Sequence, residues 1–263
     1  MSKLEFNGDF LHPDRREGKD AWRLRPHALE YGTGDIFGQG GGEGVIHGAT
    51  LHYDRKKIPG LVYKKFRLID LHGVPRQGSP KERLEKILLI WERIKRIKQK
   101  LKKEGKPGFN VPPTVRGYMD TNRKEFGLLM TDLTQGGKRR LFDFRYLNLA
   151  EEFVELSSSI DSIKAAVTRD VEIATKNNIN LYTLVSKDEK RESALDPWLL
   201  SVDKEGSSEV FLADVGEYVE LVSDSAEDQQ KMHASHQAIL EKLSEIEREF
   251  KGYQGSGGEH DPS

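Results

Sequence analysis

The chain contains no cysteine. That excludes a disulfide framework and a thiolate metal site, and it suits a reducing compartment. It has no run of eighteen apolar residues, so the sequence offers no membrane span. Its first twenty residues, MSKLEFNGDFLHPDRREGKD, lack the apolar core of a secretory signal, which makes the expectation cytoplasmic. The histidines show neither HxxxH nor HExxH spacing, so no zinc site is expected, and His233 and His236 fall in a polar helical stretch that reads as exposed. GxSxG, a nucleophilic triad and GxxxxGK[ST] are absent as well.

What is present is charge. The length of 263 residues allows one domain of two lobes, or two small domains. A net charge of −1 conceals an uneven distribution. Residues 81–103 carry ten Lys/Arg against three Glu, whereas residues 214–263 carry twelve Asp/Glu against four Lys/Arg. The basic stretch is a candidate for an acidic partner or nucleic acid.

Residues 1–30 are polar and without clear periodicity, and read as an N-terminal extension. Residues 31–133 then read as strands around one long helix. GVIHGATLHY (44–53) and LVYKKFRLI (61–69) are β-rich runs, with a charged turn ending in Pro59-Gly60 between them. Thr114–Asp120 and Phe126–Asp132 form a second pair. The helix spans Ser79–Glu104. Ser79 is a good N-cap, Pro80 suits the first helical position and Glu82 completes a capping box. Leu84, Ile87, Leu88, Trp91, Ile94, Ile97 and Leu101 recur at helical spacing, and Gly105 with Pro107 ends the run.

Residues 134–222 read as a reduced, mainly helical second lobe. A helix is predicted over Leu149–Lys176, followed by short β-like runs at Ile179–Val185, Trp198–Val202 and Val210–Asp214. An amphipathic helix covers 226–250 within a segment of 223–251. Met232, His236, Ile239, Leu243, Ile246 and Phe250 form a seam suited to docking or self-association. The tail 252–263 has a disordered composition.

The densest local signal is GQGGGEG, residues 38–44. Glycine lets backbone N–H groups approach phosphate because no Cβ intervenes. The segment precedes the strand run carrying Val62-Tyr63-Lys64, in which alternation puts Val62 and Lys64 on one face. A lysine there reaches phosphates while Val62 lies under an apolar ring.

This order resembles the protein kinase fold: glycine loop, lysine strand, capped helix, two strands, linker, helices, then a hairpin ending in Asp-x-Gly. Gly38, Gly40, Gly42 and Gly44 fall near the family's GxGxxGxV, with Val45 or Ile46 as the apolar closer. Val62-Tyr63-Lys64 is similar to the end of VAIK. Leu129–Leu133 is similar to the end of the hinge strand. The resemblance implies Thr131 at the back of an adenine pocket and backbone contacts from Asp132, Leu133 and Thr134 to the base. Phe211–Gly216 is similar to the strand entering DFG, which implies Asp214 as a Mg²⁺ ligand. Glu85 or Glu92 would pair with Lys64; the family's usual spacing favours Glu85.

The catalytic loop has two registers. One lays Val185–Ser193 on VHRDLKPEN, with Asp188 as base, Lys190 as loop lysine and Ser193 at the second metal position. The other lays Glu192–Leu199 on HRDLKPEN, which puts Ala194 at the base and predicts a dead site. The resemblance covers about residues 34–222. It implies an α+β, bilobal kinase-like fold with an antiparallel N-lobe sheet, ATP and Mg²⁺ as cofactors, and an unidentified acceptor. A binding-only pseudokinase, and an α+β protein that binds nucleic acid through 81–103, are the rival readings.

Overall fold

The computed structural model describes residues 3–13, 22–32, 44–53, 56–69, 78–120, 125–144, 160–182, 194–216 and 219–256. The chain is α+β with antiparallel sheets and falls into two compact units: residues 1–96 with 112–137, and 97–111 with 138–263.

The first unit is a closed antiparallel barrel. Its strands are β1 (Lys3–Pro13), β2 (Trp22–Gly32), β3 (Gly44–Tyr53), β4 (Lys56–Phe66), β5 (Val115–Asp120) and β6 (Glu125–Thr131), in spatial order β1-β2-β3-β4-β6-β5. The stretch read from sequence as an extension carries β1 and most of β2, and β1 closes the barrel on β5 through Asp9↔Met119, Phe10↔Tyr118 and Leu11↔Gly117. Charge in both strands masks the alternation of Leu4, Phe6 and Phe10, so the period-2 signal is weak.

Pro59 and Gly60 also sit differently from the sequence expectation. They lie within β4, where the register against β3 shifts between Ala49 and Leu51. A bulge suits both residues. Proline has no N–H to leave unpaired, and Gly60 takes a φ of +73°.

Alternation sorts this unit into two faces. Leu61, Tyr63, Leu129, Tyr118, Ala49 and Leu51 form a buried cluster, with the rings of Tyr63 and Tyr118 edge-on at 5.5 Å. The other face is covered in part by α1 (Pro80–Lys103). The contact is tight at Gly117, where a Cβ would fall 2.4 Å from Leu88 Cδ1 and 3.3 Å from Leu84 Cδ2. The capping box forms as expected: Ser79 N–H donates to Glu82 Oε2 at 2.8 Å and Glu82 N–H to Ser79 Oγ at 3.2 Å. Gly105, at φ +67°, follows the helix, and Lys106 N–H closes on Leu101 O at 2.9 Å.

The second unit holds more sheet than the mainly helical reading allowed. β7 (Arg139–Asp143), β9 (Trp198–Asp203) and β10 (Ser208–Leu212) form an antiparallel sheet of order β10-β9-β7. β8 (Ile179–Asn180) pairs with β11 (Glu220–Leu221). α2 (Ile160–Lys176) lies against β8, β10 and α3 (Ala226–Ser256). The predicted helical residues 149–159 lie outside the described residues. No helix among the described residues is long and apolar enough to cross a membrane.

Candidate functional site

The barrel's register gives the geometry around Lys64. Ile46 pairs with Lys64, Lys64 with Leu128, and Leu128 with Gly117, a row across four strands. Residues directly opposite in an antiparallel pair share a face. The next row on that face is Gly48, Val62, Met130 and Val115. Lys64 and Val62 thus stand together, as alternation requires. They occupy the face that α1 covers at Gly117. Lys64 is only 5% exposed, and its Nζ lies over the Phe66 ring at 5.4 Å.

The glycine-rich segment ends beside this lysine. Gly44 opens β3 opposite Phe66, two residues along from Lys64. Gly38, Gly40 and Gly42 lie outside the described residues, but their chain joins two paired antiparallel strands, β2 and β3. Val45 pairs with Lys65 and so lies on the opposite face from Lys64; Ile46 is the residue beside Lys64.

The hinge positions divide. Thr131 pairs with Leu61, which puts it on the Tyr63 face, and Met130 takes the place next to Val62. Thr131 Oγ1 accepts from Thr114 N–H at 3.0 Å. Asp132 N–H donates to Gly60 O at 2.9 Å, and Thr134 N–H donates to Asp132 Oδ1 at 2.8 Å. Two N–H groups assigned to a base edge are thereby used by the protein itself. Leu133 is half-buried between them.

The glutamates of α1 flank its buried stripe. Glu85 pairs with Lys81 and Glu92 with Lys95, each at 3.7 Å. α1 also buries Arg83, 8% exposed, with its guanidinium 4.8 Å from the Phe126 ring and a bond of 3.1 Å to Arg67 O. The rings of Phe66 and Phe126 lie 5.4 Å apart, tilted by 31°. Lys64 and Arg83 therefore each lie on one ring of a contacting aromatic pair, at cation–π range. Sequence periodicity alone leaves Arg83 unremarked, because it falls beside the apolar stripe.

In the second unit, Asp214 follows β10 as the Asp-x-Gly reading requires. It is half-buried, and both its N–H and that of Ala213 donate to Pro197 O at 3.0 Å. This fixes the turn 194–197 against the exit of β10. Ala194 is fully buried in that turn, and Asp196 is half-buried. Asp188, Lys190 and Ser193 lie outside the described residues. Among the described residues no group of three or more His, Asp and Glu gathers to hold a metal.

Among the described residues of this unit, Asp170 and His236 are fully or nearly fully buried, and sequence reasoning missed both. Asp170 on α2 accepts from Trp198 Nε1 at 3.1 Å and from Arg169 at 3.1 Å. Burial pushes its carboxyl up to about 6, against the opposing pull of Arg169 and Trp198. His236 on α3, read from sequence as exposed, is 3% exposed. Its Nε2 accepts from Leu181 N–H at 3.2 Å, so Nδ1 carries the proton toward Thr175 Oγ1 at 2.7 Å. Thr175 in turn donates to Val171 O at 2.8 Å. Burial, with His233 nearby, pushes His236 down to about 4. The misreading has a simple source: the helix is polar overall, but His236 shares a stripe with Met232 and Ile239, both 0% exposed.

A shallow groove lies along α3 between Gln237, Leu240, Glu241 and Arg248, on a single helix face. No family model and no curated protein matches the chain.

Proposed function

We propose that the protein is a nucleotide-binding phosphotransferase of kinase-like, bilobal design. The observation that carries this reading is the β3–β4 register. It brings the exit of a glycine-rich segment within two residues of a buried lysine that shares its face with Val62. The element order supports the reading too, since a capped helix follows the lysine strand and an Asp-x-Gly segment follows the β9–β10 hairpin.

In this reading Lys64 binds the α/β phosphates. Val62, Ile46 and Met130 supply apolar cover for the base. Asp188 orients the acceptor hydroxyl, with Lys190 as the loop lysine. Mg²⁺ would neutralise phosphate charge. Asp214, with Asp196 in the adjoining turn, offers the hard carboxylate oxygens that Mg²⁺ takes, and Ser193 adds a hydroxyl. The reading also requires Glu85 to leave Lys81 for Lys64. A surface pair of this kind contributes about 0–1 kcal/mol, little enough to permit the exchange.

The occupied N–H groups of Asp132 and Thr134 favour a second reading, a pseudokinase that binds ligand without turnover. Thermal shift with Mg²⁺-ATP and a γ-phosphate transfer assay separate the two. Lys64→Ala should abolish the shift, Asp214→Asn should remove its Mg²⁺ dependence, and Asp188→Asn should stop turnover while binding persists. Binding without turnover in the wild type selects the pseudokinase. No Mg²⁺-ATP shift at millimolar ligand rejects both.

A further inference from the structure

The outer face of α1 concentrates the chain's positive charge. Leu84, Ile87, Leu88, Trp91 and Ile94 are buried, which fixes the side of the helix that meets solvent. On that side Lys86, Leu89, Arg93, Arg96, Lys100 and Lys103 follow one another at alternating spacings of three and four, a single row on a 3.6-residue helix. All five cations are exposed. Their row is about 26 Å long at 1.5 Å per residue. No glutamate of the helix lies beyond Glu92: Glu82 is in the first turn, and Glu85 and Glu92 sit at the flank, paired with Lys81 and Lys95. Among the described residues none of Arg93, Arg96, Lys100 and Lys103 makes an ion pair, and Glu104 beyond the helix feels Lys100 but bonds Lys106.

From this row we infer that α1 is a contact surface for the phosphodiester backbone of a nucleic acid, bound without regard to base sequence. This inference is independent of the nucleotide-site reading. Three features select that partner. The row has no aromatic residue and one half-buried leucine, so it lacks the apolar anchor at the centre of most protein interfaces. The apolar face of α1 is already used within the protein, so the helix has none to insert into a bilayer. A linear polyanion, by contrast, meets a straight row of cations along its whole length and gains by counterion release. With its rear face buried, the helix lies along the phosphates instead of entering a groove, and no exposed ring on the row offers base stacking.

The test is fluorescence anisotropy of the full chain with a labelled 20-base-pair random-sequence duplex, as DNA and as RNA, over 50–200 mM salt. Five phosphate contacts give a log–log salt slope of about −4.5, roughly a 500-fold loss across that range. The variant Arg93→Gln/Arg96→Gln/Lys100→Gln/Lys103→Gln should bring the slope to about −1. It alters only exposed side chains, so its melting curve should remain that of the wild type. A control variant with the same net charge, Lys138→Gln/Lys176→Gln/Lys204→Gln/Lys231→Gln, should bind as the wild type does. Scrambling the duplex sequence should leave affinity unchanged, and the DNA and RNA arms tell which polymer is preferred. The inference is overturned if neither duplex binds at 50 mM salt, or if the control variant weakens binding as much as the α1 variant. It is also overturned if the chain binds vesicles of anionic phospholipid but neither duplex.

Discussion

The barrel and the second unit bury different chemistry. Inside the barrel, Tyr63, Tyr118, Leu61 and Leu129 meet as rings and aliphatic chains, with His47 stacked on Tyr63 at 6.4 Å, and the fit comes mainly from shape. The core of the second unit is crossed by ionisable side chains, Asp170 and His236, each held by directed hydrogen bonds. A shape-specified core fails when volume changes. A core pinned by titratable groups fails when pH changes. The two units should therefore respond to different perturbations, and each prediction below separates them.

The largest effect should come from Gly127 in β6. A Cβ there would lie 2.1 Å from Lys64 O and 2.7 Å from Tyr63 Cε2, the first of these a backbone atom of the paired strand. Gly127→Ala should destabilise the barrel by at least about 3 kcal/mol, the upper end of overpacking costs. Urea unfolding followed by near-ultraviolet circular dichroism would register it. A loss under about 1 kcal/mol would mean that β4 and β6 part easily, and that the barrel is not specified by shape.

In the second unit the two buried groups should oppose each other. Asp170 titrates near 6 when folded, against 3.8 for the ordinary group, so the folded state binds its proton more tightly. The stability it contributes is full below 3.8 and lost as pH rises through 6. His236 titrates near 4 when folded, against 6.5. Its contribution is full above 6.5 and lost as pH falls toward 4. Each amounts to about 3 kcal/mol, opposite in sign over nearly the same window. Asp170→Asn should therefore leave a protein that weakens steeply from pH 6.5 to 4 relative to wild type. His236→Gln should leave one that gains stability, relative to wild type, on the same descent. Parallel pH profiles for wild type and either variant would contradict the burial of that group.

The smallest effect should lie at the capping box of α1. Ser79→Ala removes the acceptor for Glu82 N–H and should cost about 1 kcal/mol, measurable as a shift in the urea midpoint. Because Ser79 and Glu82 are exposed, the cost should not vary between pH 6 and 8. A pH-dependent cost there would erase the distinction between the two units.

The sequence was most legible where a signal is local. Ser79, Pro80 and Glu82 announce the start of α1, and Gly105 its end, because capping involves neighbours three or four residues apart. The β9–β10 hairpin and the spacing of Val62 and Lys64 were readable for the same reason. The N-terminal strands were not. β1 earns its place by pairing with β5, more than a hundred residues away, and nothing within residues 1–30 states that partner. Pro59-Gly60 looked like a turn because the pair usually makes one, whereas its bulge depends on the register of β3. His236 looked exposed because composition averages over a helix, while burial depends on one stripe.

By itself, then, the sequence determined which segments become helix or hairpin, where charge accumulates and which residue types stand two or four apart. Tertiary structure decided which faces are covered: that Lys64 shares its face with α1, that Thr131 turns to the other side, and that Asp170 and His236 lose their water. The physical reason is that propensity, capping and alternation act over a few bonds. Desolvation and strand register are set by partners that are distant along the chain and adjacent only after folding.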